Sequence, residues 1–254
     1  MFGAWTPLLA LVVSLLALLL AKRWITSHLQ ELSVRWVGDP DVALIVYFVV
    51  VLPGVIVHEL SHWLAAKLLG IRVNKLSLGP VRKGRSRRVS FGSVRVGNVD
   101  PFRASLIGLA PLLGGTAVIL IIGNWVLDVD ALQGAMTGGG IEGILARLEQ
   151  LVQVPDFWLW LYLIFSVSNA MLPSTSDMDA VRPVLIFLGI VVAVALIVAG
   201  VPAIPKDVVM GANAVAGYLA SAFGLTLAVD AVFILIIAVL TYVTRRLQDG
   251  YWIR

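Results

Sequence analysis

Two histidines four residues apart, His58 and His62, enclose Glu59 at the end of a run, Val42 to Val57, that carries no charge. On a helix this spacing puts both imidazoles on one side, about 40° apart, with Glu59 about 100° from His58. Such a pair can grip one zinc ion, and the intervening carboxylate then stands beside the metal's water as a general base. A carboxylate deep in lipid costs at least ~2.5 kcal/mol, so it needs a partner or a chemical task. Gly54, Ser61, Ala65 and Ala66 share the same helical face. Small residues there let other helices approach closely.

Two imidazoles are not a complete site. Catalytic zinc takes three protein ligands and keeps a fourth position for water. The chain has no cysteine and only one further histidine, His28, which lies in a polar stretch and reads as a solvated surface residue. The third ligand is therefore expected to be a carboxylate. Asp177 and Asp179 follow Pro173, which stops an apolar run and lets the backbone turn back toward the histidines. Asp100 is a weaker candidate.

The elements that must position these groups are apolar helices. Of 254 residues, 59% are hydrophobic and 13% charged, with a mean hydropathy of +0.96. Soluble domains carry about 25% charged residues, so the composition points to a multi-span membrane protein. The expected fold is all-α, with about six transmembrane helices near Trp5–Ala21, Val42–Leu69, Phe102–Leu127, Phe157–Leu172, Pro183–Val201 and Ala228–Val243. Lys22–Asp41 reads as a polar connector, and Pro202–Leu227 as an interfacial or shallow helix. Between the second and third spans, two alternating patches around Val73–Leu78 and Val89–Val96 predict a small membrane-associated β-hairpin, with breaks at Gly79-Pro80 and Lys83-Gly84. Three parts follow: residues 1–41 as the first helix and connector, 42–182 as the core with its β region at 71–97, and 183–254 as C-terminal helices.

Charge fixes the expected orientation. Ile71–Gly97 holds eight basic and no acidic residues, whereas Asp128–Asp156 holds five carboxylates against Arg147 alone. An excess of Lys and Arg marks the cytoplasmic side, and on this reading Arg245 and Arg246 end there too. Basic residues next to spans record topology and give no reason to expect nucleic acid. Anionic lipid is the expected partner of the arginines.

At this point the chain resembles the site-2 protease family of intramembrane zinc metalloproteases. His58-Glu59-Leu60-Ser61-His62 followed by Ala66 is similar to the family's HExxHxxxA. Gly108-Leu109-Ala110-Pro111-Leu112 is similar to its third-span pattern, and Asn169, Pro173 and the aspartates after it resemble NxxPxxxxDG. Asn169 and Pro173 are four apart here, where the family has three, and Ala180 stands where it has glycine. Keeping the spacing from Asn169 selects Asp177 as the third ligand; matching the tripeptide Met178-Asp179-Ala180 selects Asp179.

The resemblance implies one zinc ion, Glu59 as the catalytic base and Asn169 holding substrate backbone or the oxyanion. It implies hydrolysis of membrane-embedded or membrane-anchored protein substrates, as in regulated intramembrane proteolysis. The setting expected is a multi-pass protein of a prokaryotic cell membrane, with the site near the cytoplasmic face. The competing expectation is a catalytically silent membrane-binding or regulatory protein that keeps a structural zinc. A metal transporter ranks lower, because it would need ionisable residues along several spans.

Overall fold

The computed structural model describes residues 6–82, 89–96, 99–129, 140–199 and 205–251. Seven α-helices dominate these residues: α1 (Thr6–Val37), α2 (Pro40–Leu68), α3 (Pro101–Ile121), α4 (Gly140–Val152), α5 (Phe157–Met171), α6 (Thr175–Ala199) and α7 (Lys206–Tyr251). A π-helical turn, Ile122–Val126, extends α3. Strands β1 (Val73–Arg82) and β2 (Val89–Val96) pair antiparallel, with Leu76 opposite Val94 and Ser77 opposite Ser93. The expected break at Lys83-Gly84 lies outside the described residues, whereas at Gly79-Pro80 the strand continues to Arg82 with a register shift between Leu78 and Val81.

Local chemistry sets the helix ends. At the start of α2, the Asp39 side chain accepts hydrogen bonds from the Asp41 and Val42 amides at 2.7 and 3.2 Å, and Pro40 occupies the first helical position. This is the arrangement that satisfies orphan donors at a helix start. Gly70, at φ +71°, ends the same helix. Its left-handed backbone is free of the Cβ penalty other residues would carry. Asp100 caps α3 through the Arg103 amide at 3.0 Å. It therefore serves a helix start, and the weaker ligand candidate finds a different role.

Among the described residues, four helices are long and apolar enough to cross a membrane: α1, α2, α3 with its π turn, and α7. The pair α4–α5, bent by 95° at its break, makes up to five. Large apolar side chains face outward along them, Leu20, Val49, Leu113 and Leu235 among them. Inside, one core joins Leu18 and Ile25 of α1, Ile119 of α3, Ile164 and Phe165 of α5, and Phe223 and Val229 of α7.

Helix directions bear on the expected six spans. α1 and α7 run parallel: Glu31 pairs with Arg245 at 2.7 Å, Arg35 hydrogen-bonds Gln248, and Trp36 donates to Thr244. Parallel first and last spans require an odd number of crossings, which five satisfies and six does not. Two further expectations change. Lys22–Val37 is a continuation of α1, because Ile25, Leu32 and Ser33 form a buried stripe beneath its charges. Pro202–Leu227 is not a separate shallow helix, since Lys206 onward runs unbroken into the last span. Arg245 consequently sits beside the end of α1, where α2 begins, while the basic strands follow the far end of α2.

The contact that matters most for function is α2 against α5, which run parallel. Tyr162 donates to the Val50 carbonyl at 2.9 Å, the Gly54 amide donates to Ser166 Oγ at 2.9 Å, and His58 Nδ1 meets the Ala170 carbonyl at 2.8 Å. Each pair is separated by 112 residues, so the turns of the two helices stay in step. Gly54 makes this possible, since a Cβ there would collide with the Ser166 backbone carbonyl. Gly54→Ala is expected to destabilise the protein by about 1–3 kcal/mol through overpacking. A lowered melting temperature in detergent would register it.

Candidate metal centre

Two elements converge on one point. α2 supplies His58 and His62, and the first turn of α6 supplies Asp177. His62 Nε2 lies 3.2 Å from Asp177 Oδ1, His58 Nε2 lies 3.5 Å from Oδ2, and the two Nε2 atoms are 3.1 Å apart. The donor atoms all fall within 4.8 Å of one another.

The opposite ring nitrogens explain why the Nε2 atoms face inward. His58 Nδ1 is 2.8 Å from the Ala170 carbonyl, and His62 Nδ1 is 2.8 Å from the Ile107 carbonyl. A carbonyl only accepts, so each Nδ1 carries the proton and each Nε2 presents a lone pair. Backbone partners of this kind are what orient metal-binding histidines. Two lone pairs and a carboxylate at this separation repel unless something positive lies between them. One shared proton would serve a single pair, whereas a metal ion serves all three donors.

Asp177 is fixed by its own helix start. The Ser174 amide donates to Asp177 Oδ2 at 2.7 Å, and the Asp177 amide donates back to Ser174 Oγ at 3.3 Å. This reciprocal pair is a capping box with Ser174 as the N-cap. Pro173 ends α5 without turning the chain back on itself; a new helix begins at once and carries the carboxylate inward. α3 comes close enough to hold it because Gly108 has no side chain, and a Cβ there would lie 2.9 Å from the Asp177 carbonyl oxygen. Gly114 and Gly115 make the same allowance for Ser61 and Met171. Asp179 is placed elsewhere: its side chain is 76% exposed and 3.9 Å from Arg182.

Glu59 is buried, and its Oε2 has no hydrogen-bond partner among the described residues. It lies near enough to His58, His62 and Asp177 to feel their charges. A buried, unpaired carboxylate oxygen beside three converging donors marks an interaction that the protein alone does not supply. Asn169 is also buried, one residue before the carbonyl that orients His58. Its Nδ2 donates to the Phe165 carbonyl at 2.8 Å and approaches Ser168 Oγ and Asp230 Oδ1 at 3.4 and 3.5 Å, while its Oδ1 is unpaired.

The sequence reading passed over three residues that lie at or near this region: Ser174, which caps α6, Lys22, which donates to the Leu172 carbonyl, and Asp230, which accepts from Ser168. Ser174 was legible as a Ser-x-x-Asp pattern before an apolar run. Asp230 was legible as a lone carboxylate inside the last span. Lys22 carried no signal, since its neighbours gave no hint that its side chain enters the helix bundle. No family model, curated protein or solved structure matches the chain.

Proposed function

We propose that this chain is an intramembrane zinc metalloprotease. The observation that carries the reading is the convergence of two tautomer-fixed imidazoles and one capped carboxylate beside a buried, unpaired glutamate. Two nitrogens and one oxygen from protein, with a position left for water, are the donor set of catalytic zinc. When bound, zinc supplies Lewis acidity to the scissile carbonyl and makes water acidic near neutral pH.

The chain's own residues do the rest. Glu59 takes a proton from the attacking water and returns it to the leaving amine. The β1–β2 pair offers edge backbone hydrogen bonds to an extended segment. That pairing matters because a helical substrate hides its carbonyls until it is unwound. Asn169, with an open acceptor oxygen, serves substrate backbone N–H better than an oxyanion, since its donors are already engaged.

We place the site toward the membrane face that carries the basic segment 71–97, which the excess of Lys and Arg makes cytoplasmic. The test is metal analysis of the purified protein together with cleavage of a single-span reporter in detergent. We expect about one zinc per chain, cleavage lost on chelation, and cleavage restored by zinc. Zinc without cleavage of any membrane reporter would favour the silent, metal-stabilised alternative; no zinc at all would remove both readings.

A further inference from the structure

The segment that leads from α5 into the ligand-bearing α6, Asn169 to Pro173, is gripped from both sides by ionisable residues of helices that carry no ligand. Leu172 closes α5 with extended backbone and is followed by proline, so its carbonyl has no helical partner. Lys22 of α1 fills that place, its Nζ donating to the Leu172 oxygen at 3.2 Å. From the other side, Asp230 of α7, only 2% exposed, accepts from Ser168 Oγ at 3.0 Å. Asn169 Nδ2 lies 3.5 Å from the same carboxylate oxygen.

A lysine and an aspartate within apolar spans are costly. Nothing about helix packing alone calls for them, since leucine would fill the space. What they touch accounts for them. Ser168 and Asn169 directly precede Ala170, whose carbonyl holds the His58 ring. Leu172 directly precedes the Pro173-Ser174 step from which Asp177 hangs. α1 and α7 pack along each other, so the two grips belong to one rigid pair.

We propose that Lys22 and Asp230 are positioning residues that set the α5–α6 junction and thereby the separation of His58 from Asp177. The proposal rests on the metal reading above and gives the C-terminal helix a task in it. Neither residue touches the donor atoms themselves.

Cobalt(II) alone, titrated into the full chain in detergent, is the probe, because its visible absorption reports ligand geometry as well as occupancy. Lys22→Met and Asp230→Leu are expected to weaken cobalt binding by at least about tenfold, the range seen when outer partners of a metal site are lost. Both are expected to alter the absorption spectrum while keeping a cooperative thermal transition. Asp230→Asn retains an acceptor oxygen for Ser168 and is expected to return close to the unaltered affinity. If Asp230→Leu does not fold, Ser168→Ala removes the same hydrogen bond and carries the same expectation. Arg245→Gln breaks the Glu31 pair at the remote end of the same helices and is expected to leave cobalt binding unchanged. Unaltered affinity and spectrum in Lys22→Met and in the Asp230 or Ser168 variant would overturn the proposal alone. Equal weakening by Arg245→Gln would overturn it too, by reducing the effect to general loosening. Failure of the unaltered chain to bind cobalt would overturn the metal reading as well.

Discussion

Glu59→Gln is expected to abolish cleavage of a membrane reporter while leaving about one zinc per chain. Glutamine keeps the size of the side chain and its hydrogen-bonding reach but cannot accept the proton of the attacking water. Loss of a general base costs about 10²–10⁴-fold in rate. Because Glu59 Oε2 has no partner among the described residues, the substitution breaks no hydrogen bond there, and folding should be spared. Metal content and melting temperature must therefore stay near those of the unaltered chain. Cleavage persisting at an undiminished rate would strip Glu59 of its assigned role.

The second large effect separates two aspartates that lie two residues apart. Asp177→Ala is expected to lower zinc affinity by more than ~100-fold, beyond the ~10–100-fold typical of residues that merely support a ligand. Asp179→Ala is expected to leave the affinity unchanged, since the Asp179 side chain is 76% exposed and near Arg182. Competition with a chromophoric chelator would read both values. An emptied site in Asp179→Ala with full occupancy in Asp177→Ala would reverse the assignment.

Why the sequence left that choice open, while giving the histidine pair outright, is a matter of range. His58 and His62 lie one helical turn apart, so local periodicity brings them together without any tertiary information. The aspartates depend on where a helix begins. With Ser174 as the cap, Asp177 falls in the first turn and faces α2 and α3, whereas Asp179 lies about 200° further round and faces away. A pattern match that tolerates a one-residue shift cannot decide between opposite faces.

Segment bounds depart from the sequence reading for a related reason. Hydropathy marks apolar stretches, not helix lengths, and α7 has 46 residues. At 1.5 Å per residue such a helix is far longer than the ~30 Å hydrocarbon layer, so one rod was read as an interfacial segment plus a span. Lys22–Asp41 reads as a connector because, up to the helix end at Val37, its charges outnumber the buried stripe of Ile25, Leu32 and Ser33. Lys22 and Asp230 meet α5 across 150 and 62 residues of sequence. No local rule reaches that far.

The box formed by Ser174 and Asp177 has a bearing on how the protein matures. Its two hydrogen bonds span three residues and need nothing from outside the chain, so the carboxylate is seated as soon as the helix nucleates. The histidine rings are likewise locked by main-chain oxygens. On the metal reading proposed above, these hydrogen bonds orient the donors without help from the ion. Assembly in the bilayer and acquisition of the ion become separable events, and an emptied protein should take its cargo back without refolding.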